Sequence, residues 1–492
     1  MSNTESNIQL NAEPNPELNA DESRRTRITF IAVATSFAAV ASLQSLIIPV
    51  LSLIGRDLKA DDVGVTWTLT AWLIAAAVAT PLLGRAGDLV GRRRMYILAL
   101  VAVAAGSVLA AFAPSLPILL LARVLQGLGG AVFPLGFGLV RDAFPPARVP
   151  ATIGALAAIM AVASGLGTVI SGPIAAALGW RTLFVLPLTF AVIGLTLGIR
   201  GMRETAHSAT GRINVLAAVL LSGWLVALLL PLSAGNTWGW GSAPVIGLLG
   251  LAALLAAGWL SVELRSKQPL VNMRMMRLPA VWTTNLTALL TGAAMFGTWA
   301  YLPRLVESPA TGGFGLGLTA SDAGLIMLPM LVTMASVGFV AGPLSRVIPF
   351  PVQLTIGALL SAGSALSIAL LHDNAVQLAI AAAALGLGTG LVTSSTPNLI
   401  VRSVPADQVG IATGMNTNIR TIGGALGTTV FAAAIGASAG VSGLVTESGY
   451  VTAFVIGASL ALAAAIVPFF GRPRVQRSTA PEAVSLLESV DA

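Results

Sequence analysis

Residues 65–113 read VTWTLTAWLIAAAVATPLLG, then RAGDLVGRRR, then MYILALVAVAAGSVLAAFA: two apolar runs on either side of a short basic loop. Each run is about 20 residues, and at a rise of about 1.5 Å per residue it spans the roughly 30 Å hydrocarbon core of a bilayer. The pair therefore predicts two transmembrane helices joined on one side of a membrane. The pattern extends in both directions. Apolar stretches fall near 29–52, 65–84, 95–113, 117–140, 151–178, 181–199, 213–233, 243–262, 280–302, 322–342, 351–371, 376–400, 409–437 and 450–470, which makes fourteen spans in 492 residues.

Composition agrees with that reading. Charged residues are 10% of the chain, against about 25% in soluble domains, and the mean hydropathy is +0.87. The chain has no cysteine, which removes disulfides, thiolate nucleophiles and cysteine-ligated metals. The net charge of +7 follows from topology. With fourteen spans both tails lie on one side, and the loops of the other side hold only Arg56, Lys59, Arg181 and Arg304. All other loop arginines and lysines fall on the tail side, so the positive-inside rule sets both termini in the cytoplasm. Nucleic acid is not an expected partner, and lipid is.

The expected organisation is a disordered cytoplasmic tail (1–27), a six-helix bundle (28–200), a linker carrying inserted spans 7 and 8 (201–279), a second six-helix bundle (280–470) and a loose tail (471–492). Internal similarity supports the division. Gly127-Leu128-Gly129, followed by Pro145, Val149 and Gly154, recurs as Gly386-Leu387-Gly388, followed by Pro405, Val409 and Gly414. Transporters are commonly built from such repeats, with the substrate site between them. Residues 263–279 alternate bases with Leu, Val and Met, which suits either a short helix along the cytoplasmic leaflet or a plain linker.

In the loop after span 2, Gly84 and Gly91 permit a tight turn. Asp88 can accept from a neighbouring helix N-terminus or pair with a base such as Arg141, while Arg92, Arg93 and Arg94 hold the loop in the cytoplasm. Gly84, Asp88, Gly91, Arg92, Arg93 and Arg141 thus form a candidate charged latch. In span 5, Pro173 after Gly172 removes a backbone hydrogen bond and predicts a kink; small residues around it suit close helix approach.

These residues resemble the major facilitator superfamily, and within it the fourteen-span drug:proton antiporters of the EmrB and QacA type. The 84–94 loop is similar to the superfamily's signature between spans 2 and 3, although Ala86 and Leu89 replace its usual leucine and arginine. Arg123, Gln126, Gly127 and Gly129 look like the family's buried-arginine motif. Gly165, Gly172, Pro173, Trp180, Arg181 and Phe184 look like its antiporter motif, with Ala176 and Ala177 in place of a glycine pair. Arg420, Gly423, Gly424 and Gly427 resemble its arginine-and-glycine run. The resemblance implies an all-α membrane protein of a bacterial plasma membrane, monomeric, with two pseudo-symmetric six-helix bundles plus two inserted helices. It further implies export of small hydrophobic compounds in exchange for protons, around a cavity bounded by spans 1, 4, 9 and 12.

An intramembrane cation costs about 3 kcal/mol or more at a helix centre, so Arg123 and Arg420 are expected to face the bundle interior. With Gln126, Gln44, Asn285 and Asn398 they form the candidate substrate and coupling set. No acidic residue falls deep inside a span. The antiporters usually carry an aspartate in span 1, and alignment on Pro49 leaves Val40 at that position. Asp57 and Asp88 then become the candidates for a proton carrier, with Arg123 responding to them. Without a counter-charge, cationic substrates are disfavoured relative to neutral or anionic ones.

Neither lysine sits in a phosphate-cradling loop, since Lys59 follows Leu58 and Lys267 follows Ser266, so ATP-driven pumping is not expected. No His, Asp, Glu or Cys cluster lies within the spans, so neither an enzyme, a metal site nor a cofactor is expected. The alternatives are a facilitator or importer of a neutral or anionic metabolite without proton coupling, and a non-transporting sensor on the same fold.

Overall fold

The computed structural model describes residues 16–60, 62–204, 213–266, 269–309, 314–438 and 445–471. Residues 1–15 of the N-terminal tail and 472–492 of the C-terminal tail lie outside the described residues. Among the described residues every regular element is helical. Helices α1 (Pro16–Ser45), α2 (Asp62–Val90), α3 (Arg92–Ala111), α4 (Leu116–Ala143), α5 (Val149–Leu178) and α6 (Val185–Gly201) pack on one another. So do α9 (Pro279–Glu307), α10 (Ala320–Leu344), α11 (Phe350–Leu370), α12 (Ala375–Ser403), α13 (Val409–Ala437) and α14 (Glu447–Ile466). Between the two sets, α7 (Val215–Trp238) and α8 (Ala243–Arg265) form an antiparallel pair whose α7 touches α2 and α13.

Thirteen of these helices are long and apolar enough to cross a membrane. The remaining one, α9, has 29 residues, but Thr283, Thr284, Asn285, Thr287 and Thr291 lower its hydropathy, and the protein buries all five. The hydroxyls of Thr283, Thr284 and Thr291 bond back to carbonyls one turn earlier, Thr291 to Thr287 at 2.6 Å, which satisfies them where water is scarce; the Thr287 hydroxyl is buried without a partner among the described residues.

The repeated glycines make corresponding contacts. A Cβ at Gly127 would strike Trp72 and Ala75 of α2, and one at Gly129 would strike Val103 of α3. A Cβ at Gly386 would strike Met330 and Thr333 of α10, and one at Gly388 would strike Gly357 and Ser361 of α11. The same two-glycine step thus seats α4 on α2 and α3, and α12 on α10 and α11. Packing of this kind needs small residues, because lipid supplies no hydrophobic drive between helices.

Two expectations are corrected, and one left open is narrowed. Residues 16–27, expected to be disordered tail, belong to α1; proline at the first helical position is preorganised for a helix that continues into an apolar span. In the segment after α8, Leu270 and Val271 are buried in one cluster with Ile411 and Met415 of α13, and among its described residues only Met273–Met276, capped by Asn272, is helical, which suits the linker better than a helix lying free of the bundles. Glu263, expected in the loop, is in the last turn of α8 and buried.

Candidate functional site

The two helix sets meet along α2–α13 and α5–α10, and both contacts are tightest at the end bearing the arginine loop. Backbone meets backbone there. A Cβ on Gly84 would lie 2.8 Å from the Gly410 carbonyl oxygen, and one on Gly154 would lie 2.4 Å from that of Gly338. Asn398 of α12 donates across the same boundary to the Pro150 carbonyl at 3.4 Å, and Asn418 of α13 donates to the Ala77 carbonyl of α2 at 2.6 Å.

A charged cluster locks this end. Gly91, at φ 120°, breaks α2 from α3 in a conformation that favours glycine. That break lets Arg92 turn back on Asp88, donating to one carboxylate oxygen from Nε at 3.1 Å and from Nη2 at 2.8 Å. Arg92 also reaches Asp142 at 2.6 Å and the Ala406 carbonyl. The second Asp88 oxygen accepts from the Ile411 amide, in the first turn of α13, at 3.4 Å. A carboxylate at a helix N-terminus is favoured by unpaired amides and the helix dipole. Arg141, the base expected to pair with Asp88, instead donates to the Val404 carbonyl at 3.2 Å. The reason is register: Arg92 is four residues from Asp88 across the tight turn and reaches it first. Arg93 is tied to the carbonyls of Gly198 and Ile199 at 3.0 and 2.7 Å.

Among the described residues, α5 and α10 part towards the opposite end. Gly172 lies on the same face of α5 as Gly154 and Gly165, and Gly324 on the same face of α10 as Gly338 and Gly342, by the 3.6-residue period. Gly165 still touches Leu331, yet a Cβ at Gly172 or at Gly324 would meet nothing within 4 Å. Gly172 and Pro173 are exposed, and α5 runs as one helix through the proline. At this rim Asp57, on the short helix Leu51–Leu58, accepts from Arg181 at 2.5 Å and from the Trp180 indole at 3.0 Å. Those two hydrogen bonds, Arg181's first, hold the Asp57 carboxyl below its ordinary value.

The polar residues inside the spans divide sharply. Arg123 is fully buried among α1, α2 and α4, donating to the carbonyls of Thr68 (2.9 Å) and Leu43 (3.3 Å) and to Gln126 (2.8 Å), with its guanidinium over Trp72. Gln126 passes on to Ser107 at 3.3 Å. Asn285 is paired with Asn416 at 2.8 Å, joining α9 to α13. Val40 is buried and packs towards Gly129. By contrast Gln44 and Arg420 are half-buried and have no hydrogen-bond or ion-pair partner among the described residues.

Sequence reasoning missed Glu263, whose carboxylate accepts from Trp259 and from the Val271 amide, both at 3.1 Å. The tryptophan one turn earlier was the available signal. It also missed Asp142, hidden beside Arg141 in what reads as a solvated loop.

The profile of the Major Facilitator Superfamily matches residues 30–428. The multidrug transporter protein MdtP of Bacillus subtilis (strain 168) is 28% identical over 379 residues, 76% of this chain and 69% of that protein. The tetracenomycin C resistance and export protein of Streptomyces glaucescens is 29% identical over 408 residues, 82% of this chain and 74% of that protein. Among solved structures, the human organic anion transporter MFSD10 (TETRAN) superposes with a TM-score of 0.66 at 16% identity, covering 93% of this chain and 100% of that one; at that identity the likeness speaks for the fold alone.

Proposed function

The chain belongs to the Major Facilitator Superfamily, and from that premise we propose that it is a fourteen-span secondary transporter of the EmrB and QacA type. In this reading both termini are cytoplasmic, the protein sits as a monomer in a bacterial plasma membrane, and it exports small, largely apolar compounds by alternating access. Residues 28–200 and 280–470 are the rocking bundles, and 201–279 carries the inserted pair. The observation that carries the reading is one-sided closure: the bundles touch backbone to backbone at Gly84–Gly410 and Gly154–Gly338, while Gly172 and Gly324 stand free at the other end. With the arginine loops inside, this is a state closed to the cytoplasm and open to the exterior. The names of relatives, a multidrug transporter and an export protein, support the direction.

Asp88, Arg92, Arg93, Arg141, Gly84 and Gly91 act as the inner gate, and Gly172-Pro173 lies where α5 must move. Arg123 and Gln126 stiffen the first bundle, Asn285 ties α9 to α13, and Asn398 belongs to the gate. Gln44 and Arg420 are the groups left to meet a substrate. Proton exchange is the coupling that the resemblance suggests. A second reading, a facilitator without proton coupling, is favoured by Val40, a buried apolar side chain at the position where the resemblance expects an aspartate.

Inside-out vesicles with an imposed pH gradient separate these. Compound uptake with collapse of the gradient is the expected result for proton antiport. Uptake without collapse selects the facilitator, and no uptake of any hydrophobic compound overturns transport.

A further inference from the structure

Arg420 is near the middle of the 29-residue α13 and partly exposed, its side-chain stem lying along α9, where a Cβ on Gly292 would come 3.1 Å from Arg420 Cγ. Its neighbours define what it faces. Gly423 and Gly427 of α13 abut the backbone of Leu289 and Ala293 on α9, while Gly414 and Asn418 abut Thr80 and Ala77 on α2. At 100° per residue, Arg420, Thr417 and Thr421 fall in the sector between those two contacts. The opposite sector of α13, with Ile411 and Met415, packs against Leu221 and Leu225 of α7, so the sector of Arg420 is the one that looks into the cleft between α9 and α2. Thr417 and Thr421 are half-buried there too, and their hydroxyls donate to carbonyls one turn earlier at 2.9 and 3.0 Å, leaving oxygen lone pairs and methyls towards the cleft. Phe296 of α9 packs beside Gly424 at the same edge.

A guanidinium in this place is expensive unless something pairs with it. Arg123 meets that need in part, with Nε and Nη1 on two carbonyls and Gln126, and Trp72 under the guanidinium, although its Nη2 is left without a partner among the described residues; Arg420 has no hydrogen-bond or ion-pair partner among the described residues. We propose that Arg420 is the anion-reading element of the central cleft, and that the transported molecule carries a carboxylate on an apolar, aromatic-sized body. The carboxylate takes the bidentate geometry of the guanidinium, and the body lies against Phe296 and the threonine methyls. This deepens the transporter reading above and rests on it. It accounts for the missing deep carboxylate of the protein: here the acid arrives with the substrate.

The test compares 1-naphthoate with its neutral isostere 1-naphthamide, binding to the full-length protein in lipid nanodiscs. The wild type is expected to bind naphthoate about tenfold more tightly than naphthamide, and Arg420→Gln to bring the ratio of the two affinities to about one. Since the chain has no cysteine, Thr417→Cys supplies a second readout in case Arg420→Gln does not fold. Naphthoate, and not naphthamide, should protect that thiol from a water-soluble maleimide. Equal affinity for the two compounds, a preference that survives in Arg420→Gln, or a thiol that naphthoate leaves reactive overturns the proposal. Uptake of neutral hydrophobic compounds by the same protein in vesicles would then leave the transporter reading standing, whereas absence of all uptake would sink that reading separately.

Discussion

Asp88 is buried with Arg92 and makes the only carboxylate contact, among the described residues, with the first turn of α13. Asp88→Asn keeps its size and removes its charge, leaving Arg92 with Asp142 as its one carboxylate partner. Breaking one side of a buried charge pair costs about 3 to 5 kcal/mol, and here the loss falls on the closed inner gate. The expected outcome is a transport rate reduced by about tenfold or more, with the inner end populating an open form, read as faster labelling of a cysteine introduced at Ala77. Unchanged labelling and flux would remove the gate from Asp88. At this scale the residue types of 84–94 are legible as a latch, because glycine, aspartate and arginine together have few other uses at a membrane surface. The partner is not: Arg141 and Arg92 are equally basic on paper, and the turn at Gly91 chooses between them.

Helices α5 and α10 cross where both are small. The glycine-rich stretch around Gly172-Pro173 suggests close approach there, yet the contact lies roughly two to six turns nearer the inner end, at Ala151, Gly154, Ala158 and Gly165. Gly154→Leu would drive a side chain into the Gly338 backbone. It is expected to leave the protein in the membrane and to abolish flux by preventing inner closure, as measured by transport in vesicles alongside surface expression. Gly172→Ala has empty space in this state and should change stability by only about 0.5 kcal/mol, the scale of uncrowded substitutions, measured by thermal unfolding in detergent. If Gly154→Leu transports normally, the close crossing has no role in the cycle.

For the whole molecule, alternating access requires the free face at Gly172 and Gly324 to close when the inner gate opens. Spin labels on cysteines at these two positions should report a shorter distance population when a transported compound is added, together with a longer one for labels at Ala77 and Asn418. A rigid pair of distances with and without compound would contradict rocking. Hydropathy period and loop charge are enough to establish from the sequence an all-helical membrane protein, because a bilayer leaves the backbone few other choices. They also flag the buried arginines, since any cation in lipid stands out. What only the folded chain decides is which polar groups are spent and which are free. Arg123 and Arg420 read alike in one dimension. Helix packing surrounds the first with carbonyls and an indole and leaves the second facing the cleft, because satisfaction of a buried charge depends on acceptors brought in from other helices, and residues far apart in the chain supply them.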